Sequence, residues 1–200
     1  MTRIDVAPHW VITSDEEPHS AASSQIVILP GPGFGSGAHE TTQLCLLGIR
    51  ALAPRGRPWT MLDFGSGSGI LAIAAARLGA TAVAVENDPR AMAHAQSNAT
   101  ANGAAPRVEF LSTLAAARGA YDLVVANILR DVLVQFAADL VARVAREGTL
   151  VLSGLVSTDV PTTNSHYKRH LGDRRPEVYA RGEWRALVWR LHSAPGPDRR

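Results

Sequence analysis

The run Asp63-Phe64-Gly65-Ser66-Gly67-Ser68-Gly69 combines residue types and spacing that suggest ligand chemistry. Glycines at alternate positions let a ligand approach the backbone closely. The apolar stretch from Ile70 reads as a helix whose first N–H groups lack partners and favour a carboxylate. Glycine turns also serve dinucleotides and nucleoside triphosphates. Here, however, Ile70 stands where the dinucleotide fingerprint needs its last glycine, and no Gly-Lys-Ser/Thr follows. A ligand carrying one carboxylate in place of a phosphate chain suits this turn, with Gly65, Gly67 and Gly69 as its backbone contacts.

Other candidates stand at the ends of apolar runs. Glu86 closes the run beginning at Ala82 and is placed to accept hydrogen bonds from both hydroxyls of a ribose; Asp88, with Pro89 behind it, suits capping of the next helix. Asn127 follows Tyr121 to Ala126, where its amide can accept a hydrogen bond from an amine or, alternatively, cap the helix that follows. His39 and Glu40 adjoin the glycine-rich loop Pro30 to Gly37. His39 is a candidate general base; its alternative role is to start a helix and bond locally.

These residues need a scaffold that gathers strand ends. From Trp59 the sequence alternates strand and helix patterns, which predicts an α/β domain with a mostly parallel sheet covered on both faces. Strands are expected at 59–64, 82–86, 107–111, 121–126 and 148–153. Helices are expected at 39–53, 69–78, 89–102 and 130–146, the last from Val132, Phe136, Leu140 and Val144 at spacing four. Residues 112–119 leave room only for a short helix. Extended patterns at 177–180 and 184–192, with Gly182 and Glu183 between them, predict an antiparallel C-terminal hairpin and seven strands in all. The expected organisation is an N-terminal extended segment at 1–30, a domain at 31–192 and a disordered tail at 193–200.

Composition limits the classes of function. An apolar fraction of 46% against 19% charged residues is that of a folding chain and excludes disorder. The lone Cys45 excludes a disulfide framework and a cysteine-based zinc site, and no metal ligand set is expected. No apolar run suits a signal peptide or a membrane span, so a cytoplasmic location and no membrane partner are expected. From Lys168 onward nine Lys or Arg residues face four Asp or Glu, a balance read as solvation and not as a nucleic-acid surface.

With these residues in place, the sequence resembles the ribosomal protein L11 methyltransferases, which methylate amino groups of that protein with S-adenosyl-L-methionine. The resemblance is carried by Gly33-Phe-Gly-Ser-Gly-Ala-His-Glu-Thr-Thr42, by Leu62 to Ala76 and by Asp122-Leu-Val-Val-Ala-Asn-Ile-Leu129. Weaker similarity includes Leu152-Ser-Gly-Leu155 and Gly182-Glu-Trp184. It implies a Rossmann-like, seven-stranded class I methyltransferase fold and donor contacts at Thr42, Gly65, Glu86 and Asn127, with glutamate at 86 where the family usually has aspartate.

The resemblance also implies a separate N-terminal recognition domain, and the sequence begins about where that domain and its linker would end. The expectation is therefore a catalytic domain whose acceptor is a protein amine, with a small molecule or another protein as the alternative. The stretch 156–165, with Pro161 among Ser, Thr and Asn, is expected to be a loop that could line a different acceptor pocket. A binding module without catalysis and a nicotinamide-dependent oxidoreductase are the remaining rivals; the glycine spacing and Asn127 stand against the second.

Overall fold

A computed structural model describes residues 3–6, 10–14 and 25–191. The N-terminal strands β1 (Arg3–Val6), β2 (Trp10–Thr13) and β3 (Gln25–Val27) form a small sheet, antiparallel between β1 and β2 and parallel between β2 and β3. Then follow α1 (Glu40–Leu52), β4 (Trp59–Phe64), α2 (Ile70–Arg77), β5 (Ala80–Val85), α3 (Pro89–Ala101), β6 (Val108–Leu111) and β7 (Tyr121–Asn127). The chain continues through α4 (Arg130–Gln135), α5 (Ala137–Ala142), β8 (Val144–Val156), α6 (Val160–Leu171), β9 (Glu177–Arg181) and β10 (Trp184–Arg190).

The main sheet has the order β6-β5-β4-β7-β8-β10-β9. It is parallel through β8, and β10 runs antiparallel to both β8 and β9. The period of two along each strand sorts side chains into two cores. Met61, Ala82, Ala84, Leu123 and Val125 pack under α1, α2 and α3. Leu62, Val83, Val85, Val124 and Leu150 face the layer that contains Leu133, Leu140 and Tyr167. Burial of a side chain such as Ile73 of α2 contributes roughly 1.5–3 kcal/mol. Strand order reverses between β4 and β7, so a crevice opens beyond their carboxyl ends. The register Phe64 to Ala126 puts Gly65 and Asn127 side by side at that crevice.

Two expectations are corrected. The helix expected at 130–146 is instead α4 and α5, bent apart at Phe136 (φ −96°, ψ 14°), and Val144 already belongs to β8. The Arg143 carbonyl accepts the Tyr121 N–H at 2.8 Å, which commits the chain to the sheet. The four-residue stripe continued through the break because Val144 faces the same core as Leu140. The loop expected at 156–165 is a short 3₁₀ turn, Ser157–Asp159, leading into α6. Pro161 sits in the first turn of α6, where its missing N–H costs nothing. Thr163, Tyr167 and Leu171 form the buried face of α6, and the Tyr167 hydroxyl donates to the Leu133 carbonyl at 2.7 Å.

The hairpin stands where expected, with Gly182 at φ 55° in its turn. The segment 112–119 holds one 3₁₀ turn, Leu114–Ala116. The tail expected to be disordered, 193–200, and the polar stretch 15–24 lie outside the described residues.

Candidate active site

A cavity of about 940 Å³ lies beyond the carboxyl ends of β4, β5, β6 and β7. Gly65, Gly67, Glu86, Asn127 and His39 line it, and these five come from four separate stretches of the sequence. The turn after β4 is built tightly. Gly67 has φ 53°, and a Cβ there would run into the Phe34 carbonyl oxygen. That oxygen accepts the Ser68 N–H at 2.8 Å, while the Ser68 hydroxyl donates to the Gly35 carbonyl at 2.7 Å. The glycine-rich loop is thereby stitched to the turn beneath it.

Glu86 follows β5 and is held from both sides. Its Oε2 accepts the Gly67 N–H at 2.9 Å and its Oε1 accepts the Asp88 N–H at 3.0 Å. The carboxylate therefore stands on the cavity wall in a fixed orientation. Asp88 caps α3 by accepting the Arg90 N–H at 2.8 Å, the capping role expected of it. That bond holds the Asp88 carboxyl below its ordinary value.

Asn127 is the last residue of β7 and lines the cavity. Its Nδ2 donates to Thr42 Oγ1 at 3.4 Å, which turns the amide oxygen away from Thr42. Thr42 is buried on α1 behind the wall and reaches the site through this contact. Gly69 is also off the wall; it caps α2 with φ 79° and packs closely on Ala95 of α3. His39 caps α1, its Nδ1 accepting the Thr41 N–H at 3.3 Å and lying 2.8 Å from the Thr41 hydroxyl. The His39 ring meets Phe34 and Trp184 edge-on, with centroid distances of 5.6 and 4.8 Å.

Asp63 lies fully buried at the end of β4. Its Oδ2 accepts the Ala72 N–H at 3.1 Å, and its Oδ1 has no partner among the described residues. Burial pushes its carboxyl up to about 7, against the Ala72 bond and with help from the Glu86 charge. Ser66 Oγ is likewise buried without a partner among the described residues. Burial pushes the Cys45 thiol up to about 12, so Cys45 is core and not a nucleophile. No cluster of His, Cys, Asp and Glu among the described residues is placed to hold a metal ion. No described helix is long and apolar enough to cross a membrane.

Several wall residues received no role from the sequence. Leu114 follows β6, and the strand-end rule applied to β5 and β7 would have found it. Phe136 was assigned to the core by its helical spacing, yet it also faces the cavity. Phe34 and Leu129, 61% and 75% exposed, form an apolar rim that no periodicity marks.

This sheet order, with a cavity lined by residues at the carboxyl ends of β4, β5 and β7, defines a Rossmann-like class I methyltransferase fold. The ribosomal protein L11 methylase of Lactobacillus delbrueckii subsp. bulgaricus superimposes with a TM-score of 0.83 at 32% identity, covering 96% of this chain and 100% of that one. An RNA methyltransferase of Salinibacter ruber, solved with S-adenosyl-L-homocysteine, shares the fold at a TM-score of 0.57 and 22% identity over 76% of this chain and 92% of its own.

The profile of the family described as Ribosomal protein L11 methyltransferase (PrmA) matches residues 2–192, and the chain belongs to that family. Ribosomal protein L11 methyltransferase of Geobacter sulfurreducens is 43% identical in an alignment of 189 residues that covers 92% of this chain and 61% of the relative. The enzyme of the same name from Pelobacter propionicus is 38% identical over 94% of this chain and 61% of its own length. The chain thus spans about 61% of these two relatives.

Proposed function

We propose that the cavity binds S-adenosyl-L-methionine and that the chain, through a methyltransferase domain at 31–192, methylates a protein amino group, with ribosomal protein L11 as acceptor. The observation that carries this reading is the Glu86 carboxylate, fixed by the Gly67 and Asp88 N–H groups at the wall of a cavity that the glycine turn also lines. An acceptor of two adjacent hydroxyls beside a turn that suits a carboxylate matches the two polar ends of this donor. The size suits a cofactor, since such pockets run from about 300 to 1,000 Å³. Val85, Ala91, Leu114 and Phe136 supply apolar wall for a flat base.

When bound, the donor supplies a sulfonium-activated methyl carbon. The protein's part is to present an uncharged nitrogen in line with it, and such positioning is worth up to about 7–11 kcal/mol of a barrier. Asn127 orients that nitrogen through its amide oxygen. The loop from Gly33 to Thr42, stitched to Ser68, keeps water out. A dry pocket also favours the neutral form of an amine. His39 serves as wall and helix cap, with Nδ1 committed to Thr41; a general-base role is unnecessary. A ribosomal acceptor places the reaction in the cytoplasm.

The test is incubation of the purified chain with labelled donor and ribosomal protein L11, followed by mapping of the label. Label on amino groups of that protein is expected. A chain that binds the donor yet leaves ribosomal protein L11 unlabelled, while methylating a small amine or a different protein, would overturn the acceptor.

A further inference from the structure

His94 and Asn98 on one face of α3, and Asn102 at its C-cap, recur every fourth residue, and all three are buried. Together they hold the chain from Val27 to Gly33 as a neighbouring strand would. Asn102 accepts the Val27 N–H at 2.9 Å and donates to the Val27 carbonyl at 2.7 Å. Asn98 accepts the Leu29 N–H at 2.9 Å, and its Nδ2 donates to the Ser68 carbonyl at 2.8 Å, in the glycine turn itself. His94 completes the row. Its Nδ1 accepts the Gly33 N–H at 3.2 Å and its Nε2 lies 2.7 Å from the Leu29 carbonyl oxygen.

This pattern assigns the tautomer. The Gly33 N–H can only donate, so Nδ1 keeps its lone pair; the Leu29 carbonyl can only accept, so Nε2 carries the hydrogen. A protonated ring would set a second N–H against that of Gly33. The backbone lies directly on the imidazole: a Cβ on Gly31 would enter the ring, and one on Gly33 would stand 2.8 Å from Nδ1.

Among the described residues, the hydrogen-bond and close-approach partners of the ring are uncharged: the Leu29 carbonyl, the Gly31 and Gly33 backbone and the Asn98 amide, whose Nδ2 is 3.3 Å from Nε2. Charged groups on the adjoining elements have other partners. Asp88 and Arg90 pair at the start of α3, Glu86 accepts from Gly67 and Asp88, and Asp63 accepts from Ala72.

We propose that His94 is a positioning residue: its neutral form holds the Leu29–Gly35 loop on the donor turn, and its protonation frees Gly33 and weakens donor binding. The affinity part rests on the donor reading above; the loop part does not.

The test measures S-adenosylhomocysteine affinity by calorimetry and amide exchange of residues 33–35 without ligand. Wild type, His94→Gln and His94→Leu are compared at neutral and mildly acidic pH. On acidification, wild type is expected to lose protection at these amides, relative to their slower intrinsic exchange at that pH, and to bind about tenfold more weakly. His94→Gln, which can accept from Gly33 and donate to Leu29 without gaining a proton, keeps most of the neutral affinity and is flat with pH. His94→Leu binds about tenfold more weakly at both pH values. Protection that stays constant with pH in wild type, or the same acid response in His94→Gln, overturns the proposal. Failure of folded wild type to bind at either pH overturns the donor reading, and the exchange data then decide the role of His94 alone.

Discussion

The Gly67 N–H donates to Oε2 of Glu86 at 2.9 Å, which makes the glycine turn and the wall carboxylate one rigid unit. The same glycine lies against the Phe34 carbonyl, so three segments distant in sequence converge on a position with no space for a side chain. Gly67→Ala must strain a backbone at φ 53° and push the Phe34 loop away. The expected result is a loss of about 1–3 kcal/mol of stability by urea denaturation. Calorimetry should show S-adenosylhomocysteine affinity lowered by more than about tenfold, since each 1.4 kcal/mol is a factor of ten. Unchanged affinity would show that the loop and turn need not be in contact.

Asp63 predicts a pH dependence of stability. Its carboxyl is raised from 3.8 to about 7, mainly by burial. Between those values the folded state keeps a proton that the unfolded chain has released, so stability falls as pH rises through this window and levels off above about 7. Asp63→Asn has no such proton and still offers an oxygen to the Ala72 N–H. Urea midpoints measured across this range should decline less steeply in the variant, which gains on wild type toward the alkaline end. Equal slopes would mean that Asp63 titrates as an exposed carboxylate.

Asn127 and His39 line the same cavity but are predicted to separate in kinetics. Asn127→Ala removes the group proposed to orient the acceptor, so transfer of labelled methyl should fall by about a hundredfold. Its S-adenosylhomocysteine affinity should change by less than about tenfold. His39→Ala should leave the shape of the pH–rate profile intact, because Nδ1 is engaged with Thr41. A lost limb in that profile would restore His39 as a general base.

Legibility in the sequence followed how local each signal is. The alternation of strands and helices, the turn at Gly65 and the hairpin at Gly182 are short-range patterns, and each stands where its residues predict. Helix α6 was hidden because its buried face is only Thr163, Tyr167 and Leu171 amid Ser, Thr and Asn, a composition shared by loops and helix starts. The break at Phe136 was invisible because Val144 continues the spacing from a strand. In the site, Thr42 was singled out as a direct contact yet reaches the cavity through Asn127, a relation set by the packing of α1 on β7. The His94, Asn98 and Asn102 row was beyond the same reading: polar residues on a helix look solvated until the chain they hold is known.

The central claim is that Glu86, locked by Gly67 and Asp88, receives the donor's ribose. Calorimetric titration of folded wild type and Glu86→Gln with S-adenosylhomocysteine tests it most directly. Wild type should bind one equivalent, and the variant should bind about 10–100-fold more weakly, because hydrogen bonds to a charged acceptor contribute about 1.5–3 kcal/mol. Equal affinity of the two folded proteins would contradict the assignment of Glu86, and no binding by wild type would contradict the account as a whole.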